Sequence, residues 1–471
     1  MSKFNINTQK LPLSLRDKGF WKVTLSLAIP IALQQMLSAS FSLIDTLMVG
    51  QLGDISLSAT GMAGQWSWLF AMVLFGIVSG ASIFVSQYWG DGNIKGIRRS
   101  VGISTTSGLL VSLIFMVIAL LFPEKIIYIF NKNPQVIAEG ATYLRFACFS
   151  YPAMALTNIF GATLRSVEHP KLPMAVSGIC AAANVGLNYT LIFPAGLGVK
   201  GAAIATSISA WLGPILIILF SVMRKNILFA PLREFAFSMK AVGEFFRKTT
   251  PVIINESMWG MGTVAYNIIF ANIGHEEYAA ITIVKTFENL SFCFFMGLCN
   301  ACCVVVGKAI GAGEIREGIR DTKRFMILMP ITSAAVGSLI ILFRVPLVSL
   351  FNMGSNISGY TITTAQYIMI IYAAWAMVRN VPYLTVVGIF RPGGDTTMGM
   401  LVEICALWLF AVPMTFLAAN VWHFPFLMVY ATMYICEDVS KAIYFIYYWR
   451  SGKWIKPVTD AGRDALAQLK G

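Results

Sequence analysis

Charge is scarce in this chain: Asp, Glu, Lys and Arg make up 12% of its 471 residues, while 57% are hydrophobic and the mean hydropathy is +0.71. A soluble protein carries about twice that share of charge, so a string of water-facing globular domains is excluded. Histidine is scarcer still. His169, His275 and His423 are far apart, and no nucleophile, base and metal ligands gather in any segment, so an enzyme is not expected. All eight cysteines fall in apolar runs, away from loops that could build a disulfide framework. Cys299, Cys302 and Cys303 have no histidine beside them and read as small hydrophobes, not a metal site. No Walker A sequence is present. Gly196-x-Gly198-x-x-Gly201 has the spacing of a dinucleotide fingerprint but no strand before it, so neither a nucleotide site nor any cofactor is expected. No signal-peptide pattern precedes the first apolar run, and no removed leader is expected.

Long apolar runs, by contrast, fill the chain. Segments of roughly 20 residues, enough to cross about 30 Å of hydrocarbon, recur twelve times, near 22–50, 56–88, 100–122, 140–163, 172–194, 199–222, 249–273, 278–306, 325–350, 361–387, 397–419 and 424–449. The expectation is an all-α membrane protein of twelve transmembrane helices. The net charge of +13 does not indicate nucleic-acid binding. Of the 35 lysines and arginines, 27 lie in the termini and alternate loops of one side, the distribution of topogenic charge, which places both termini in the cytoplasm of a multi-pass plasma (inner) membrane protein.

Internal repetition organises the spans. Pro251 follows Pro30 by 221 residues, and the same interval separates Gly274 from Gly53, Gly297 from Gly76, Gly311 from Gly90 and Gly313 from Gly92. The register reaches Phe351-Asn352 against Phe130-Asn131, then shifts to 226 for Arg391 against Arg165 and Arg450 against Arg224. Six spans separate equivalent points, so the copies share one orientation: two six-helix lobes related by a pseudo-two-fold along the membrane normal, as in secondary transporters. The expected division is an N-terminal lobe at 1–222, a basic cytoplasmic linker at 223–248 forming an interfacial helix, a C-terminal lobe at 249–449 and a tail at 450–471. The linker charges would meet membrane lipids.

Within the first span, Gln35, Ser38, Ser42 and Asp45 share a helix face. A carboxylate at such depth costs about 2.5–3.5 kcal/mol on insertion scales, which makes Asp45 a functional candidate, against the plainer reading of a packing ion pair. Asn184 and Asn188, at i and i+4 of span five, and Thr206 of span six could complete an oxygen-rich ion site with Asp45, or form ordinary interhelical hydrogen bonds. Adding 221 to the first stripe gives Glu256, Trp259, Thr263 and Tyr266. Lys285 with Glu288, and Glu437 with Lys441, have ion-pair spacings, while Arg379, Asn380, Glu403 and Asp438 add further polar groups. Six intramembrane acids (Asp45, Glu256, Glu288, Glu403, Glu437, Asp438) face four bases (Arg145, Lys285, Arg379, Lys441), an excess that suits an organic cation, as do Trp66, Trp68, Trp259, Phe287 and Trp375.

FSLIDTLMVGQLG at 41–53, GIVSGASIFVSQYWGDGN at 76–93, GLGVKGAAIATSIS at 196–209, GLCNACCVVVGKAIGAGE at 297–314 and WRSGKWIK at 449–456 resemble the multidrug and toxic compound extrusion (MATE) transporters of the prokaryotic branch, in order and over nearly the whole chain. The resemblance implies a monomeric antiporter that expels small lipophilic organic cations, driven by inward proton or sodium movement. It assigns ion coupling to Asp45, with Asn184 and Thr206 as partners, and sodium, if used, at Asp45, Asn184 and Thr206. Asn188 stands where many prokaryotic members have an aspartate. Glu256 comes five residues after Pro251, where the sodium-coupled branch has its acid eight after, at the place of Trp259, and Asn380 replaces a tenth-helix aspartate. Those departures favour protons over sodium and leave Glu256, with Gln35, Tyr266, Lys285, Glu288 and Asn380, as substrate or secondary ion groups. The rival is a flippase of lipid-linked saccharides, which would need Arg145, Lys285 and Arg379 unpaired in its cavity.

Overall fold

A computed structural model describes residues 17–349 and 358–470, and among these every regular element is helical. Phe351 and Asn352 of the repeat register lie outside the described residues. The first half contains α1 (Lys18–Gly50), α2 (Asp54–Gly90), α3 (Ile94–Leu121), α4 (Pro123–Phe130), α5 (Pro134–Ala147), α6 (Ser150–Ser166), α7 (Lys171–Ile192) and α8 (Gly198–Arg224). The second contains α9 (Met239–Ala271), α10 (His275–Gly311), α11 (Ile315–Ser349), α12 (Gly359–Tyr383), α13 (Arg391–Gly393), α14 (Thr397–Cys405), α15 (Val412–Asn420), α16 (Phe426–Tyr434), α17 (Ser440–Arg450) and α18 (Asp460–Lys470). Nine of the described helices or helix runs are long and apolar enough to cross a membrane.

Of the other three expected spans, the seventh is the continuous helix α9, while the fourth and the twelfth are interrupted, each for a local reason. The fourth breaks at Cys148 and Phe149, between α5 and α6, because Pro152 has no N–H to carry the helical ladder back to Cys148. In the last three spans, π-helical turns at Leu384–Phe390, Ala406–Ala411 and Ile435–Val439 widen the helix. Pro382 precedes the first of these and Pro413 follows the second, and such wide turns gather at functional sites. The expected interfacial helix in the linker does not form. Leu232–Phe235 makes a single 3-10 turn, and the last ten linker residues join α9. Arg98 on α3 holds the segment instead, pairing with Glu234 and donating to the carbonyls of Ile227 and Phe229 at 3.2 and 3.3 Å.

Two compact units emerge. Unit 1 takes the described residues within Met1–Ala32, Ser86–Gly92 and Ile254–Gly471, and unit 2 takes Leu33–Val85 and Asn93–Ile253. The divisions on α1 and α9 fall after Ala32 and Ile253, which are again 221 residues apart, each two residues past a helix-interior proline, Pro30 or Pro251. The glycine register explains how each unit packs. A Cβ on Gly76 would lie 2.7 Å from the Cα of Ile253 in unit 2, and one on Gly297 would lie 2.6 Å from the Ala28 carbonyl and 2.9 Å from the Ala32 Cβ in unit 1. These are the same contact in the two copies. Likewise, Cβ atoms on Gly90 and Gly311 would each stand 2.0 Å from a carbonyl, of Lys308 and Gln87 respectively, so the α2 and α10 backbones cross without side chains between them.

Unit 2 has an apolar core around Phe70, Tyr151 and Ile159, with the Phe70 and Tyr151 rings stacked at 4.8 Å. Unit 1 is centred on Phe295, Phe390, Phe445 and Trp454. Its end is tied by Gln87, which donates to the Pro392 carbonyl at 2.6 Å and accepts from the Val458 N–H at 2.7 Å. Asp17, just ahead of α1, takes a hydrogen bond from Arg324 at 3.0 Å. The Phe20 and Gly19 N–H groups and that guanidinium hold its carboxyl below the ordinary carboxylate value.

Candidate functional site

Asp45 lies on the second half of α1, within unit 2, and is half-buried. Asn188 of α7 reaches it: the Asn188 Nδ2 donates to Asp45 Oδ1 and also to the Oδ1 of Asn184 at 3.2 Å. The i, i+4 spacing of the two asparagines makes that chain possible. Asn184 in turn donates to Ser209 Oγ of α8 at 3.2 Å. Asn188 is wholly buried, yet its own Oδ1 has no hydrogen-bond partner. A buried acceptor without a donor is costly, on the order of 1–3 kcal/mol, so this oxygen faces an arrangement completed by a proton donor or a cation.

Thr206 is placed differently from the expectation. Its hydroxyl donates to the Ala202 carbonyl at 3.0 Å, and it adjoins Asp45 only through Tyr143 of α5, which lies beside both. The sequence reading missed Tyr143 and Ser209. Ser209 is legible in hindsight at i+3 from Thr206, whereas Tyr143 belongs to the span whose helical register breaks at Cys148. The rest of the α1 stripe stays accessible. Ser38 and Ser42 are exposed and Gln35 is half-exposed, while the neighbouring Gln34 makes the cross-helix contacts, donating to Ser177 at 2.8 Å and accepting from Arg165 at 3.3 Å.

The second set of predicted groups lies in unit 1 and is largely satisfied internally. Glu256 is not a free carboxylate: Arg391 donates to it at 2.5 Å, with the arginine side chain 3% exposed. Arg391 reads from the sequence as a loop charge, so the apparent acid excess shrinks once this guanidinium is counted inside. Lys285 and Glu288 do not form the expected salt bridge. Lys285 donates to Asn267, and Glu288 accepts from the hydroxyls of Tyr430 at 2.7 Å and Tyr434 at 3.0 Å. Arg379 donates to the Tyr434 hydroxyl at 2.7 Å and lies over that ring at 5.0 Å. Asn380 is buried and donates to Ser333 of α11 at 2.9 Å.

Glu437 and Lys441 do pair, at 2.7 Å, and Tyr266 donates its hydroxyl to the same carboxylate at 2.9 Å. Asp438 accepts from the Trp375 indole at 3.0 Å, and Glu403 accepts from Asn255. Asn255, Glu403, Glu437 and Lys441 line one polar knot, with the π turns at Ala406–Ala411 and Ile435–Val439 contributing Leu407 and Glu437 to it. Arg145 is a surface group paired with Glu124 at 2.5 Å. Among the described residues, no group of three or more His, Cys, Asp or Glu side chains could hold a metal ion.

The family model MatE matches residues 30–190 and 251–417. A probable multidrug resistance protein, NorM, of Thermotoga maritima is 24% identical over 442 residues, which cover 92% of this chain and 93% of the relative. Among solved structures, a crystal structure of a MATE protein has a TM-score of 0.84 at 18% identity, over 95% of this chain and 97% of its own. A MOP superfamily transporter from Pyrococcus furiosus, whose binding pocket is described as reversed in polarity, also gives a TM-score of 0.84 at 18% identity, over 96% of each chain. At that identity the two structures speak for the fold.

Proposed function

This chain belongs to the MatE family, and from that membership we propose that it is an ion-coupled antiporter that exports lipophilic organic cations by alternating access. It would sit in the plasma membrane as a monomer with both termini in the cytoplasm, the side on which most of its Lys and Arg residues fall, facing lipid headgroups. The relatives' names point to drug efflux. The residues supply the coupling chemistry.

The observation that carries the reading is the unpartnered Asn188 Oδ1 beside Asp45. Asn188 has spent its amide donors on Asp45 and Asn184, so its oxygen is open to an incoming proton donor or cation. Asp45 is the single full negative charge of that cluster, and one positive charge resides there at a time. A proton is favoured over sodium. A sodium ion prefers several oxygens at once, and the hydrogen bonds that join the Asp45 cluster run through Asn188, Asn184 and Ser209, with Thr206, the third expected ligand, outside that chain.

Exchange then follows from competition. In the state open to the outside, a proton neutralises Asp45 and lowers the affinity for a cationic drug. In the state open to the cytoplasm, the proton leaves and the drug is drawn in. By linkage, each ligand weakens the other by the same factor. Glu256 enters this cycle only if a cation displaces Arg391, so it acts as a secondary group. The flippase alternative gains no support, because Arg145, Lys285 and Arg379 all have partners. Equilibrium binding of an ethidium-like dye to the purified protein tests the reading: affinity should fall as proton concentration rises, and that dependence should vanish in Asp45→Asn. Dye binding that ignores pH and sodium in the native protein would overturn it.

A further inference from the structure

Near Asp45, at the end of unit 2 that holds the α1–α2 and α7–α8 turns, lies an open hollow of about 410 Å³. Its walls include Leu52, Ser56, Glu139, Thr142, Gly196 and Lys200. Three separate segments build it, and each leads directly to the Asp45 cluster. Leu52 stands seven residues beyond Asp45, and Lys200 precedes Thr206 by six on α8. Glu139 is one helical turn from Tyr143 on α5. Positive φ values at Gly196 and Gly198, +63° and +53°, shape the rim between α7 and α8, a conformation that side chains with a Cβ adopt at a cost.

Beneath the hollow is a thin apolar layer in which Val49, Ile192 and Ala202 are buried and Met48, Leu52 and Tyr143 pack against them. Tyr143 belongs to both sides: it is part of this layer, and it lies beside Thr206 and Asp45. Polar groups mark the hollow above it. Glu139 is half-buried, accepts from Ser56 at 2.6 Å, and has no ion-pair partner among the described residues. The one cation on the wall, Lys200, lies over the Phe146 ring at 4.9 Å and forms no salt bridge with Glu139.

We propose that this hollow is the access vestibule through which the coupling ion reaches Asp45, with Glu139 drawing a hydrated monovalent cation or a proton toward the Tyr143 layer. The inference rests on the antiport reading and on the orientation proposed with it, which puts the hollow on the outer face. Glu139 is a positioning residue. It raises the local concentration of the ion without touching the Asp45 cluster.

Two variants test the route in vesicles with ion-driven dye export. Glu139→Gln should raise the half-saturating concentration of the coupling ion about two- to threefold, the effect of one unit charge at roughly 8 Å in water. Its maximal rate and dye affinity should not change. Ala138→Cys, at an exposed wall position, should lose ion-driven export when a bulky, membrane-impermeant cationic thiol reagent is added from outside, while equilibrium dye binding persists and the unmodified parent protein is unaffected. Complete labelling, verified by mass, with export unchanged would overturn the vestibule, as would an unaltered half-saturating concentration in Glu139→Gln. A parent protein indifferent to every ion gradient would overturn the antiport reading together with the route. Ion-dependent export indifferent to both changes overturns the route alone.

Discussion

Replacing Asp45 with asparagine removes one charge and almost no volume, so its effect on coupling can be separated from its effect on folding. Asn188 would still find an oxygen to donate to at position 45, and losing one half-buried charge-assisted bond should cost about 1 kcal/mol of stability or less. The energetic consequence for transport is larger. A one-for-one exchange of a proton for a monovalent dye is electroneutral, so a step of about two pH units supplies about 2.7 kcal/mol, at about 1.36 kcal/mol per unit, and sustains up to about a hundredfold dye gradient. Without a carboxylate to trade the two ions, that gradient should collapse to passive equilibrium. The assay is dye accumulation in vesicles under an imposed pH step, repeated with a sodium step, using protein confirmed to be folded and inserted. A variant that still builds a large gradient would refute the reasoning.

Glu256→Ala removes the carboxylate to which the buried Arg391 donates and should destabilise the protein by about 1.5–3 kcal/mol, the worth of a hydrogen bond to a charged group. A double change of both residues to methionine should recover most of that in a detergent melting series, whereas a purely substrate-binding role for Glu256 would leave the melting curve unmoved. Gly311→Val places side-chain atoms where the Gln87 carbonyl now sits, 2.0 Å from the added Cβ. Overpacking of this kind costs about 1–3 kcal/mol or more and should reduce membrane yield sharply, while the same change at Gly186, which has open space around it, should not. The Asp17–Arg324 contact contributes only while Asp17 is ionised. Its carboxyl is held below the ordinary value of 3.8, so the contribution is present above that pH and lost as pH falls below it. The melting difference between the parent and Asp17→Asn should therefore be visible at neutral pH and close in strong acid.

Much of the fold is legible in the sequence because a bilayer leaves few options: an apolar run of sufficient length must be a helix. The 221-residue register goes further, since Gly76 and Gly297, or Gly90 and Gly311, occupy places where a neighbouring backbone leaves no room for a Cβ. What hydropathy cannot register is a change of helix type within a run. The break at Cys148 and the three π turns keep the apolar pattern while changing which side chains share a face across them, so the contacts of Tyr143 and of Glu403 are not readable from spacing, although the Glu437–Lys441 pair is. Near Asp45, local spacing suffices to find Asn184 and Asn188, because both lie on one uninterrupted helix, α7. In unit 1 it misleads: Lys285 and Glu288 have ion-pair spacing but are taken by Asn267, Tyr430 and Tyr434 from other helices or other turns. Arg391 is the sharpest case, a charge read as topogenic that proves to be buried against Glu256.

The central claim is that one positive species at Asp45 is traded for one cationic drug molecule. Recording dye flux and proton flux together, in vesicles of the purified protein with no ATP present, tests it most directly. One counter-ion should move in for each monovalent dye cation moved out, with both fluxes lost together in Asp45→Asn. Dye movement against its gradient with no accompanying counter-ion flux would contradict the account.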